Sequence, residues 1–182
     1  MPRIAPIDPA RAMGKTKHLL DEVRSTLGVT PNLVKTFAHS PAALEAYLKF
    51  STDLSQGMLS TQFREQIALA VAQANSCAYC LSAHTALGSD VGLSPEEIEA
   101  SRACRSADEK EHAGLQLAQA IVIQRGEISA AIIEKARKAG YTDGEIVEIV
   151  SNVALNILTN YINHVARTEV DFPGVKVALR LP

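Results

Sequence analysis

The sequence predicts an all-α fold, and three observations carry that prediction. Short polar residues that cap helices, among them Ser40, Ser94 and Thr142, stand directly before runs whose apolar residues recur every three or four positions. Glycine closes several of those runs, at Gly28, Gly57, Gly126 and Gly140. Trp is absent and aromatic residues make up 4% of the chain, so the core must be Ala, Leu, Ile and Val, which suits closely packed helices. At 182 residues one domain spanning 1–182 is expected, large enough to bury a real core.

Each element follows in order. Residues 1–11, rich in proline, form an extended arm expected to pack on a neighbouring subunit. A helix from about Ala12 to Leu27 sets Leu19, Leu20, Val23 and Leu27 on one stripe. Pro31 opens a short helix through Phe37. Ser40-Pro41, a cap followed by proline at the first helical position, starts a helix to about Ser55 with Leu44, Tyr47, Leu48 and Leu54 inward. A central pair follows, Ser60–Ala74 and Cys77–Ser89, with Ser76 read as the cap of its second member and Gly92 beyond it. Ser94-Pro95-Glu96-Glu97 opens a short helix to about Ala103, and Ser106 or Asp108 caps a longer one to Arg125. Ser129–Ala139 is amphipathic, and Thr142-Asp143-Gly144-Glu145 opens the last helix, through about Arg167. The tail, 170–182, is expected to be extended; Val175, Val177 and Leu179 alternate there, but one such run cannot make a sheet alone. An internal echo aligns Ser60 with Thr142, Ile67 with Ile149 and Val71 with Val153. It is consistent with two pseudosymmetric hairpins or with two unrelated capped helices.

The chemistry concentrates in EQIALAVAQANSCAYCLSAH, Glu65 to His84. With Ser76 as cap, Cys77 takes the first helical position, where free N–H groups and the positive end of the dipole favour a thiolate. Cys80 lies three residues on, within disulfide range if the geometry permits. Cys80 and His84 are four apart and share a helix face. Glu65 falls in a stripe with Ala68, Leu69 and Ala72, where a carboxylate needs a partner or a raised pKa. The plain alternative is an exposed first-turn glutamate.

Other features bound the function by exclusion. A net charge of −2 and balanced, interspersed ions give no electrostatic case for nucleic acid or an anionic membrane. No run is long and apolar enough for a signal peptide or a membrane span, so a cytoplasmic protein is expected. Three cysteines do not suit a static disulfide framework, and no cofactor is called for. Zinc held by Cys77, Cys80, His84 and Glu65 is the thinner reading, because a lone CxxC lacks a second pair. Cys104 has no base nearby and reads as a spectator thiol. His164 with Asn160 and Asn163 lines a second pocket or, more simply, an interface. Tyr79 packs beside the cysteines or offers its hydroxyl to a substrate.

The spacing Glu-x11-Cys-x-x-Cys-x3-His, strongest over Leu59–Gly88, resembles the alkylhydroperoxidase D (AhpD) core of the carboxymuconolactone decarboxylase-like superfamily. The last helix and tail, ALNILTNYINHVARTEVDFP, resemble its peroxidase-related members. The resemblance implies a helical subunit assembled as a trimer or hexamer, and a thiol peroxidase or disulfide reductase. Peroxide would be the substrate and a thiol or dihydrolipoyl-type donor the reductant. It implies Cys80 as the peroxidatic thiol, Cys77 as the resolving thiol exposed to the reductant, and His84 with Glu65 as a proton relay. Alkylhydroperoxidase D carries a second histidine where this chain has Tyr79. Two further readings stand beside this one: a decarboxylating lyase, which needs no dithiol, and a non-catalytic module whose disulfide changes oligomer contacts.

Overall fold

Side-chain caps mark the start of most helices, though α1, α2 and α8 begin without one. In the computed structural model, which describes residues 1–177, the elements are α1 (Gly14–Leu27), α2 (Asn32–Phe37), α3 (Pro41–Ser55), α4 (Thr61–Ala74), α5 (Ala78–Asp90), α6 (Pro95–Arg102), α7 (Glu109–Gln124), α8 (Ala130–Lys138) and α9 (Asp143–Ala166). Ser40, Ser60 and Asp108 each accept a hydrogen bond from the backbone N–H three residues on. Ser94 with Glu97 and Thr142 with Glu145 form complete capping boxes. No strand occurs among the described residues, so the all-α expectation holds. No helix among them is long and apolar enough to cross a membrane.

α4 is the axis of the molecule. From Gln66 to Ala72 every residue is buried, whichever way it points. A helix apolar all round is one enclosed by others. Alanines at 68, 70 and 72 keep it thin, which lets α5, α6, α7 and α9 approach it closely. Its sides feed two hydrophobic clusters. Leu69 and Ala72 join Leu20, Leu44, Leu81 and their neighbours around α1, α2, α3 and α5. Ile67, Ala70 and Val71 join Leu115, Leu117, Ile149 and Val153 of α7 and α9. On the second side α7 comes so near that a Cβ at Gly114 would stand 2.3 Å from Tyr141 Oη and 2.5 Å from Phe63 Cζ.

Both ends of the described chain are held by its body. The N-terminal arm packs on its own chain: Arg3 and Ile4 donate to the Ala166 carbonyl, and Ile7 donates to Lys35. The last carbonyls of a helix lack intrahelical partners, and here the arm supplies them. The sequence echo does not yield a second hairpin. α9 runs unbroken from Asp143 to Ala166, because Ile157-Leu158 stand where the first copy has Asn75-Ser76. The tail through Val177 forms neither helix nor strand and is pinned where Val175 N–H donates to Ser82 Oγ at 3.1 Å and Arg102 donates to the Lys176 carbonyl at 2.9 Å. Leu179 lies outside the described residues.

Candidate active site

The α4–α5 hairpin turns on Ser76. Its φ is +56°, in the left-handed region. Ser76 N–H donates to Gln73 O at 3.0 Å and Cys77 N–H to Ala72 O at 2.9 Å, the paired bonds of a Schellman motif. The expected roles therefore move by one residue: Ser76 closes α4, and Cys77 is the N-cap of α5. Cys77 Sγ accepts the Cys80 backbone N–H at 3.3 Å, the bond a serine cap would make with oxygen.

Both cysteines are free thiols and nearly sealed from solvent, Cys77 at 1% exposure and Cys80 at 2%. The expectation that Cys77 faces an outside reductant thus fails in this chain, since capping turns its sulfur inward. A hydrogen bond from the Cys80 thiol lowers the Cys77 pKa below the usual thiol range. Burial opposes that effect, while the Cys80 backbone N–H, the charge of His84 and the Asn163 amide reinforce it. Cys80 is raised by the same thiol bond, by burial and by charge on Cys77, whereas Asn163 and Asn160 pull it down. Hydrogen bonding within the pair thus favours the thiolate on Cys77 over that on Cys80.

Glu65, half-buried on α4, meets His84 of α5 across the hairpin, with Glu65 Oε2 2.8 Å from Nδ1. Burial alone would lower His84, but Glu65, and beyond it Cys77, outweigh this and hold the imidazole above its ordinary value. Among the described residues no direct hydrogen bond joins His84 to Cys80. The two share one wall of a cavity of about 630 Å³. That cavity is also lined by Glu65, Ala83 and Leu87, by Leu33 and Val34 of α2, by Tyr47 of α3, by Asn152 and Asn156 of α9, and by Phe172 of the tail; Cys77 is not on it.

Tyr79 lines this cavity too, as a pocket residue should, and it also has a structural job. Its Oη accepts the Leu33 N–H at 3.1 Å, its ring packs edge-on to Phe172, and burial raises its pKa above the ordinary value. Tyr47, read from the sequence only as an inward residue, is the phenol beside the reactive groups. It stacks on Phe37 and is pushed up to about 12 by burial and by the charges of Cys80 and Glu65, so it stays protonated. The larger omission is Asn163, whose Nδ2 lies 3.2 Å from Cys80 Sγ. Read as part of a second pocket or interface, it belongs to this site instead. Its only sequence signal was a polar residue at a core position of α9. His164 is exposed and pairs with the Asn75 carbonyl at 3.0 Å. Cys104 is buried and pushed up to about 11 by that burial, an unreactive thiol. No group of three or more His, Cys, Asp or Glu side chains among the described residues is arranged to hold a metal ion.

The hairpin thus presents two free thiols beside a Glu–His pair. The Carboxymuconolactone decarboxylase family model matches residues 41–120, which include the whole motif. A peroxidase-related protein from Silicibacter sp. TM1040 is 25% identical, with 92% of each chain covered and a TM-score of 0.79. An alkylhydroperoxidase AhpD core protein from Ralstonia eutropha JMP134, also described as peroxidase-related, is 24% identical over 93% of this chain and 92% of that one, with a TM-score of 0.84. The debrominase Bmp8 shares the fold at 18% identity and a TM-score of 0.79, covering 93% of this chain and 92% of its own. No curated protein matches the sequence. Residues 41–120 thus match the carboxymuconolactone decarboxylase family, and the chain shares the fold of AhpD-like, peroxidase-related proteins.

Proposed function

We propose that the protein is a thiol-dependent peroxidase that cycles Cys77 and Cys80 between dithiol and disulfide. The observation that carries this is the placement of Cys80 on the wall of the cavity, with Cys77 bonded to it from behind and the His84–Glu65 pair on the same wall. The Cys80 thiolate attacks the outer oxygen of a hydroperoxide, and the O–O bond breaks. Cys80 becomes a sulfenic acid, while the departing alkoxide takes a proton from the His84 imidazolium, directly or through one water. Glu65 orients the ring and stabilises its charged form. Cys77 then gives its proton to His84 and displaces hydroxide from the sulfenic sulfur; that hydroxide takes the proton and leaves as water, and the disulfide forms. A thiol or dihydrolipoyl-type donor restores the dithiol by exchange.

The test is consumption of hydrogen peroxide and of an organic hydroperoxide with dithiothreitol and with a dihydrolipoyl donor. Wild type is expected to turn over and Cys80→Ser to be inactive. Equal consumption by both would remove the reading. A second reading is favoured by the size and aromatic lining of the cavity: a halogenated heteroaromatic, of the kind bound in the Bmp8 complex with 2,3,4-tribromopyrrole. There the same thiolate would take up the halogen, the ring carbon would gain a proton, and Cys77 would release halide as the disulfide closes. Halide release from a bromopyrrole without peroxide turnover selects that reading.

A further inference from the structure

Helix α9 buries four asparagines, Asn152, Asn156, Asn160 and Asn163. Buried amides need partners, and on a helix the nearest acceptor is the carbonyl one turn back. Asn152 and Asn156 use it: their Nδ2 groups donate to Glu148 O and Asn152 O at 2.8 and 2.9 Å. Asn160 and Asn163 break the pattern. Asn163 Nδ2 donates to Cys80 Sγ at 3.2 Å. Asn160 Oδ1 accepts the Asn75 side chain at 2.9 Å, which fixes the amide. Its Nδ2 is buried and meets no hydrogen-bond partner among the described residues. Of the two, Asn163 is therefore the amide that meets the sulfur, from a rigid helix and at 5% exposure.

That contact answers a conflict within the site. The hydrogen bonds within the pair favour charge on Cys77, which is not on the cavity, while Cys80 faces it. We infer that Asn163 is a catalytic residue that makes Cys80 the attacking sulfur, receiving its negative charge and then holding the oxygen it gains. The proton of the Cys80 thiol passes to Cys77, whose sulfur already accepts the Cys80 backbone N–H, so the thiolate moves to the cavity without leaving the pair. The Asn163 amide stabilises the charge where it arrives, as a fixed dipole aimed at a developing anion does. It does not travel with the proton, so no reorganisation is needed at the moment of attack.

The inference rests on the peroxidase reading for its chemistry, but its test uses no peroxide. In a Cys77→Ser background, where serine keeps the cap and Cys80 titrates alone, thiolate ultraviolet absorbance is followed against pH. Asn163→Ala is expected to raise the Cys80 midpoint by about one pH unit, about tenfold less thiolate below it. Asn163→Asp should raise it further, because a carboxylate repels the thiolate. Should Asn163→Ala fail to fold, Asn163→Ser is titrated instead, with a smaller rise expected from its shorter reach. A midpoint unmoved or lowered in the folded variant overturns the inference, as does a fall with Asn163→Asp. Failure of wild type to consume peroxide would leave the titration untouched and strike only the proposed function.

Discussion

At the scale of single residues, the site holds a charge pair that limits its working pH from both sides. Glu65 raises the His84 pKa, and the Cys80 thiol lowers that of Cys77. His84 contributes stability fully below its ordinary value, and this fades as pH rises through the raised folded value. Cys77 behaves oppositely: its contribution is present above the ordinary thiol value and fades as pH falls through the lowered one. A step that needs both thiolate and imidazolium gains as pH rises through the Cys77 value and loses as pH rises through the His84 value, so peroxide turnover should follow a bell. Glu65→Gln should lower His84, move the alkaline limb toward acid and cost on the order of 10²-fold in turnover. His84→Ala should lose a similar amount, and the double variant little more, because members of one relay are non-additive. A pH profile of single-turnover Cys80 oxidation in the three variants decides it. Near-normal rates in Glu65→Gln would leave Glu65 a structural carboxylate.

At the scale of elements, the helices were legible in the sequence because their caps are local: a serine and the N–H three residues on need nothing else. The all-α class and the positions of α3, α4 and α9 follow from that, as does the meeting of Glu65 with His84 across a short hairpin. Ser76 was misread because serine is a common N-cap, and nothing local says that a left-handed residue is needed there to reverse α4. Asn163 was hidden for a different reason: its partner is 83 residues away, and only the packing of α9 on α5 brings them together. Packing of that closeness has its own test. Gly114→Ala places a methyl between two buried rings, Phe63 and Tyr141, which cannot swing aside. It should destabilise by about 1–3 kcal/mol, the usual cost of overpacking. Chemical denaturation reads this directly, and an unchanged midpoint would show that α7 can shift outward freely.

At the scale of the whole molecule, α9 carries a second message on its outer side. Val147, Val150, Leu158, Tyr161 and Val165 are each between 40% and 63% exposed, and their spacing keeps them on one narrow stripe. A solvated helix seldom holds such a stripe unpaired over its whole length. Association of several copies through this face is the expected outcome, and light scattering at micromolar concentration checks it. A monomer there, or unchanged assembly after Tyr161→Glu, would contradict it. The sealing of Cys77 has a further consequence, for kinetics. If both sulfurs are reached only through the cavity beside Cys80, oxidant and reductant must use one doorway in turn. Each then excludes the other when in excess: high dithiol should slow the peroxide half-reaction, and high peroxide the reset. The cycle is a turnstile, whose throughput is greatest when the two reactants arrive in balance.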